Sequence, residues 1–330
     1  MNKSNKSLLA AAVLSALTGA AFAQTNVTIY GVVDAGISYE NNGGPAGSVT
    51  RMDSGILNGS RLGFKGSEDL GGGLSAIFTL ENGFSTDTGN MGQGALFGRQ
   101  AWVGLSGGFG TVKLGRQSTV IYSNSGTFDP FGDTLAGDSA RMFNYYGSRS
   151  NNTVSYGYAA QGFRGELDYS FGEVAGDNAA GRTMAGFAGY NAGPVDVVLA
   201  YHNVKNATAT DSAKTTLLGG NYDFGIVKAY AAYAWNKGFA GLDTRDALLG
   251  LRAPVGNAGT VMASIIRKSD KQRANADATQ MAVGYTHDLS KRTALYTSFS
   301  RTTNGDAVAY NAGANGATDK LFNVGVRHKF

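Results

Sequence analysis

The last segment of the chain alternates strictly between apolar and polar side chains. In residues 322–330 the apolar side chains occupy even positions: Phe322, Val324, Val326 and Phe330. The odd positions between them hold Asn323, Gly325, Arg327 and Lys329. Successive side chains of a strand point to opposite faces of a sheet, so this period of two predicts a strand with one apolar face. The same period recurs along the chain, which favours a closed sheet whose outer face meets lipid.

A soluble sheet would show the same alternation, with its apolar face in a core. The segment 163–171 illustrates the choice, because its apolar row alternates with Arg164, Glu166, Asp168 and Ser170. Inside a wide barrel such a polar row lines water, so its charges avoid the cost of entering hydrocarbon. Aromatic residues near strand ends are then expected to form interfacial girdles: Tyr30, Tyr39, Tyr201, Tyr222, Trp235 and Tyr285.

The N-terminus has the features of a secretory signal peptide. Two lysines precede an apolar run over residues 8–18, and residues 21–23 form an A-x-A-like site before Gln24. An N-terminal membrane anchor is the alternative, but the run is short and no charged stop-transfer flank follows it. We therefore predict a signal peptide over residues 1–23 and a single barrel domain over residues 24–330.

Composition narrows the class of protein further. No other stretch has the length of a transmembrane helix, so a membrane-bound mature chain must be a barrel. The 49 glycines suit many strands and turns, and the absence of cysteine excludes disulfides and thiolate–metal sites. Removing residues 1–23 takes two of the 28 basic residues and none of the 24 acidic ones, leaving a net charge of +2. That balance argues against a nucleic-acid partner.

Sixteen segments have the length and alternation of membrane-spanning strands. The predicted strands are 27–39, one around 62–64, 74–81, 97–105, 109–117, 151–158, 163–171, 183–190, 195–202, 215–222, 226–235, 245–252, 260–267, 279–287, 293–301 and 319–330.

The connections between these strands alternate between long and short. The long ones are 40–54, 85–96, 118–140, 172–182, 203–213, 236–244, 269–277 and 302–318. An even number of antiparallel strands with short turns at one end is typical of outer-membrane barrels. The sequence therefore predicts an all-β, 16-stranded antiparallel transmembrane barrel.

Several short motifs point to a family. They are VTIYGVVDAG at 27–36, SRLGFKG at 60–66, EDLG at 68–71, RQAWVGL at 99–105, GGFGTVKLGRQ at 107–117, RSNN at 149–152 and the terminal Phe330. Taken together, they make the chain resemble the general diffusion porins of Gram-negative outer membranes, in the style of the trimeric porins of β-proteobacteria. The resemblance implies a homotrimer among outer-membrane lipids, a third loop folded into each barrel, and Phe330 as a signal for the barrel-assembly machinery. A lipid-facing strand end is the simpler interpretation of Phe330.

The resemblance also assigns the third loop, residues 118–140, to the pore constriction. Acidic residues of this loop face basic residues of the wall in the family, often around a Pro-Glu-Phe-Gly-Gly segment. The nearest match here runs from Asp129 to Asp133 without the glutamate, so these two aspartates are the acidic candidates. Phe128 and Phe131 are expected to pin the loop to the barrel interior. An ordinary surface loop with a turn at Asp129-Pro130 is the alternative.

Four residues are predicted to form the basic side of the constriction. Arg61 and Lys65 have inward parity relative to outward Leu62 and Phe64. The parity of Arg99 is ambiguous, and Arg141, just after the predicted loop, is assigned mainly by the resemblance. For each residue alone, a solvated wall or loop position is an equally good interpretation.

These features predict a passive, water-filled channel for ions and small hydrophilic solutes, with a mild preference for anions and no cofactor or metal. A solute-specific channel on the same barrel is the alternative. An enzyme is disfavoured, because the three histidines lie at strand ends or on the outward parity of the last strand, and the chain has no G-x-S-x-G, H-E-x-x-H or nucleotide-binding motif.

Overall fold

A computed structural model describes residues 26–330 as one closed antiparallel sheet. Consecutive strands pair with each other, except that β2 and β3 both pair with β1, and the last strand pairs with the first to close the barrel. The strands are β1 Asn26–Asn41, β2 Ser48–Ser54, β3 Arg61–Gly71, β4 Leu74–Gly83, β5 Gln100–Gly107, β6 Gly110–Ser118, β7 Arg149–Ala160, β8 Phe163–Ser170, β9 Thr183–Ala192, β10 Val195–Lys205, β11 Ser212–Asp223, β12 Lys228–Lys237, β13 Asp243–Val255, β14 Gly259–Asp270, β15 Ala278–Asp288, β16 Thr293–Asn304 and β17 Thr318–Lys329.

Two of these segments form a single interrupted strand. Strand β2 pairs with the second half of β1, from Ala35 to Asn41, and β3 pairs with the first half, from Asn26 to Val32. The barrel of the described residues therefore has sixteen strands, as predicted. The prediction that residues 40–54 form only a connection is wrong, because the polar segment β2 extends the sheet along the unusually long β1.

A buried carboxylate holds the break between β2 and β3. Asp34 of β1 accepts hydrogen bonds from the backbone N–H groups of Ile56 (3.1 Å), Leu57 (3.1 Å) and Asn58 (2.8 Å). The hydroxyl of Tyr296 on β16 donates a fourth bond of 2.7 Å. Asp34 thus replaces the strand partners that residues 56–58 lack.

The two faces of the barrel differ as the alternation predicts. Outward side chains are apolar and exposed, for example Ile29 and Leu167, whereas inward positions such as Asp34 and Thr302 are polar and buried. Of the predicted girdle residues, Tyr39, Tyr201, Tyr222 and Trp235 are exposed large side chains on the outer face. Tyr30 is an exception, because its hydroxyl donates to the Glu81 carboxylate inside the lumen. None of the helices within residues 26–330 is long and apolar enough to cross a membrane.

The third loop, residues 119–148, is folded into the barrel. It contains two short helices, α1 Val120–Ser123 and α2 Ser125–Phe128, and a 3-10 turn at Ser139–Arg141. Its side chains Val120, Ile121 and Phe128 are buried in one cluster with inward residues of the wall such as Ala200 and Leu217. The loop is thus an apolar layer against one side of the lumen, and it is longer than the predicted 118–140.

Three inward glycines provide the space that the loop occupies. A β-carbon at Gly219 would lie 2.5 Å from Cβ of Phe128, and one at Gly250 would lie 2.5 Å from Cγ of Pro130. A β-carbon at Gly284 would lie 2.8 Å from the ring of Phe131. Phe128 and Phe131 therefore pin the loop to β11 and β15, as the sequence predicted.

The terminal residue completes the closure of the barrel. Phe330 and Gly31 exchange two backbone hydrogen bonds of 3.1 Å each. A β-carbon at Gly31 would lie 2.2 Å from the ring of Phe330, so the ring covers the glycine. The assembly role of Phe330 stays a prediction, and the predicted signal peptide at residues 1–23 lies outside the described residues.

Substituting Gly219 with leucine tests the contact between the loop and the wall. Gly219→Leu is expected to lower the free energy of unfolding by about 1–3 kcal/mol, because the new side chain overlaps Phe128. Denaturant unfolding of the refolded protein in detergent, followed by circular dichroism, measures the change. Gly126→Ala in α2 is the control, since a β-carbon there has no atom within 4 Å. Equal stability of Gly219→Leu and the parent would contradict the proposed packing.

Candidate pore constriction

One carboxylate on the lumen wall gathers two arginines. Glu81 of β4 is buried and accepts from Nε of Arg99 at 2.7 Å, while Nε of Arg61 lies 3.4 Å from its other oxygen. The hydroxyl of Tyr30 donates to the same carboxylate at 2.9 Å. Arg61 and Arg99, both predicted from the sequence as constriction residues, therefore lie together. Glu81 was missed, although its inward position in the alternation of β4 could have identified it. Two guanidinium groups share one carboxylate, so Arg61, Arg99 and Glu81 together carry a net positive charge.

The ambiguous parity of Arg99 has a simple structural cause. Strand β5 begins at Gln100, so residues 97–99 precede the strand and do not follow its alternation. The backbone N–H of Arg99 donates to the Glu81 carbonyl at 3.2 Å, which places the arginine beside the carboxylate.

A third arginine joins this group from β7. Nε of Arg149 donates to the carbonyl of Arg99 at 2.6 Å, and its guanidinium carbon lies 4.5 Å from the ring centroid of Tyr122 in the third loop. Arg61, Arg99 and Arg149 are called the arginine cluster below. Arg149 was missed as a site residue, although it opens the RSNN motif directly after the loop.

Lys65 follows Arg61 on the same inward face of β3. Its ammonium group lies 5.5 Å from the ring centroid of Tyr30, the tyrosine bonded to Glu81. Lys65 therefore adds positive charge to the lumen wall further along β3 from Arg61.

Asp129 shapes the loop itself. Its buried carboxylate accepts from the backbone N–H groups of Phe131 (2.8 Å), Ser139 (3.0 Å) and Asp133 (3.3 Å). Burial raises the pKa of Asp129 to about 6, against the lowering effect of these hydrogen bonds. The carboxylate is directed at amide groups of the loop.

Asp133 is the loop carboxyl within electrostatic reach of the arginine cluster. Burial raises its pKa well above the usual range, and the neighbouring carboxylates of Asp138 and Asp129 raise it further. The Arg149 guanidinium opposes this shift. The balance favours a proton on Asp133 at neutral pH, which removes its negative charge from the lumen.

Arg141 lies apart from the arginine cluster. It is in the 3-10 turn of the third loop, so it is not a wall residue after the loop's end. Its guanidinium pairs with Asp319 of β17 at 2.7 Å. In the sheet, Lys320, the residue after Asp319, lies opposite Asn41 at the C-terminal end of β1. Arg61 lies opposite Val32, in the first half of β1. Arg141 therefore ties the loop to the wall at a different level of the barrel.

Comparisons with known proteins agree with this geometry. Residues 10–307 match the model of the Gram-negative porin family. Outer membrane porin protein 32 of Delftia acidovorans is 35% identical, over 98% of this chain and 99% of its own length. An outer membrane porin protein of Bordetella pertussis is 34% identical, over 98% of this chain and 100% of its own length.

Solved structures show the same architecture. An anion-selective porin from Comamonas acidovorans superposes with a TM-score of 0.83 at 32% identity, covering 93% of this chain and 100% of its own. OmpF of Salmonella typhi, at 18% identity and a TM-score of 0.74 over 92% of this chain and 97% of its own, shares the fold.

Removing the Asp129 carboxylate tests its role in the loop. Asp129→Ala is expected to speed hydrogen exchange at the Phe131 and Ser139 amides about tenfold or more, because a bond to a charged group contributes about 1.5–3 kcal/mol. Mass-spectrometric or NMR exchange in detergent measures the rates. Substitution of the exposed Asp87 in another loop is the control. Unchanged protection at both amides would show that other contacts hold the loop.

Proposed function

The chain belongs to the Gram-negative porin family, and on that premise we propose a homotrimeric general diffusion channel with a mild preference for anions. It is an outer-membrane porin, through which ions and small hydrophilic solutes diffuse passively. Beyond membership of the family, we propose the preference for anions, the trimer and the identity of the constriction residues.

The observation that carries the preference for anions is the charge balance at the constriction. Arg61 and Arg99 share one wall carboxylate, Glu81, and Arg149 adds a third guanidinium group beside them through its bond to the Arg99 carbonyl. On the loop, the Asp129 carboxylate is bonded to amide groups and Asp133 favours its protonated form. A narrow aqueous passage lined by net positive charge raises the local concentration of anions.

A related porin supports the same proposal. The porin from Comamonas acidovorans is described as anion-selective and is 32% identical to this chain. The expected strength of the preference is mild, because Glu81 offsets part of the positive charge.

The family consists of channels, and we extend this to propose that the chain has no enzymatic activity. The inward residues of the arginine cluster include no nucleophile paired with a general base. A solute-specific channel is the second candidate, and a saturable block of conductance by one solute would favour it.

Trimer formation, cleavage before Gln24 and recognition of Phe330 by the assembly machinery rest on the sequence resemblance. Chemical cross-linking of the outer-membrane protein and N-terminal sequencing test the first two. Deleting Phe330 is expected to reduce the yield of assembled protein in the outer membrane. An undiminished yield would remove the assembly role.

Reversal potentials in a salt gradient test the preference for anions. The parent protein in planar bilayers is expected to favour chloride over potassium. Arg149→Gln is expected to move the potential toward zero and Glu81→Gln away from zero, since they remove opposite charges. Arg267→Gln is the control, because Arg267 is exposed on the outer face of β14. A parent channel that favours cations would refute the proposal.

The protonation of Asp133 gives a separate prediction. Asp133→Asn is expected to leave the reversal potential unchanged at pH 7, because the raised pKa already keeps the carboxyl neutral. The two proteins should diverge only in alkaline solution, where the parent gains negative charge and becomes less anion-selective. A clear shift toward anions in the variant at pH 7 would mean that Asp133 is charged in the pore.

A further inference from the structure

We propose that the lumen wall carries a binding subsite for a neutral sugar, in a hollow between β4 and β8 at the short-turn end of the barrel. The inference deepens the proposed function, since it requires an open channel through which the sugar reaches the hollow. The site is separate from the arginine cluster and includes none of its residues.

The hollow exists because small residues occupy inward positions of the wall. Its volume is about 630 Å³, which is within the range of roughly 300–1,000 Å³ for small-molecule sites. Gly157 and Ala159, at alternate positions of β7, form part of its lining together with Gly107, the last residue of β5. With no large side chain there, a solute ring can approach the sheet itself.

An aromatic side chain forms one side of the hollow. Trp102 of β5 faces the lumen, paired across the sheet with the buried, inward Thr79 of β4. Its indole N–H donates to the side chain of Gln100 at 2.9 Å, which fixes the orientation of the ring. A fixed apolar face of this kind suits the carbon-bound face of a sugar ring, and such sites pair an apolar surface with a few placed polar groups.

Each charged group of the hollow has an ion-pair partner. The ammonium of Lys113 lies 2.9 Å from the Glu166 carboxylate and 5.8 Å from the Trp102 ring centroid. The Arg164 guanidinium, on the same strand as Glu166, pairs with Asp196 at 2.7 Å. The formal charges of these two pairs cancel, in contrast to the arginine cluster.

This pairing selects for a neutral, hydroxylated solute. Hydroxyl groups both donate and accept, so a sugar can bond to Glu166 and to Lys113 without separating the ion pair. An anion would meet the Glu166 carboxylate, and a cation would meet Lys113 and Arg164. Breaking either pair would leave a partly buried charge without its partner, which is costly.

The two tryptophans of the chain allow a direct test of the subsite. Trp235 is exposed on the outer face of β12, whereas Trp102 lies in the lumen. In the Trp235→Phe variant, refolded in detergent, Trp102 is the single tryptophan. Titration with maltose is expected to change its fluorescence along a saturable curve.

Glu166→Gln in this background is expected to raise the half-saturating maltose concentration about tenfold, the effect of losing one hydrogen bond to a charged group. Asp223→Asn is the matched control, because Asp223 pairs with Lys228 outside the hollow, at the turn between β11 and β12. It should leave the titration unchanged. If Glu166→Gln does not refold, Lys113→Gln serves as the second variant, with the same expected shift.

Three results would overturn the subsite: a linear response to maltose, an equal saturable response to the zwitterion alanine, or a maltose curve that Glu166→Gln and Lys113→Gln leave unchanged. Bilayer recordings of the same protein separate this failure from that of the proposed function. Open channels without saturable fluorescence would leave the porin intact and remove the subsite. A folded protein that forms no channels would refute the diffusion function itself.

Discussion

The requirement that every backbone amide be bonded within the protein governs this structure. A lipid-embedded sheet cannot leave an edge unpaired, so the chain must join its last strand to its first. The junction runs from Val32–Lys329 to Asn41–Lys320, and the Gly31–Phe330 pair extends it to the final residue. The alternation of apolar and polar residues then follows, because a closed barrel has lipid on one face and water on the other.

The same requirement explains the two irregular segments that shape the lumen. Where the second barrel strand is interrupted, Asp34 accepts from three consecutive amides that have no strand partner. Within the third loop, Asp129 does the same for amides of Phe131, Asp133 and Ser139. At these two places a buried carboxylate therefore stands in for a neighbouring strand.

The barrel was predictable from the sequence because its signal is local and repeated. Each strand has its own alternation of apolar and polar residues. An error in one boundary, such as a predicted start of β5 at residue 97 where the strand begins at Gln100, does not alter the topology. The constriction was less predictable, since its residues meet only through the closed barrel. Parity identified Arg61, but it could not place Arg99, which precedes its strand, or distinguish a loop-shaping aspartate such as Asp129 from one that faces the pore.

These observations explain how a nearly neutral chain can carry the positive constriction that we propose. The mature chain has a predicted net charge of only +2, so selectivity must come from where the charges are placed. Backbone N–H groups at irregular segments bind carboxylates, which directs Asp34 and Asp129 toward amides. Guanidinium groups have five donors and no acceptor, so Arg149 can donate to the backbone carbonyls of Arg99 and Ser148 and still keep its positive charge. The folding of the backbone therefore directs these two carboxylates toward amide groups, while the arginine cluster keeps its positive charge.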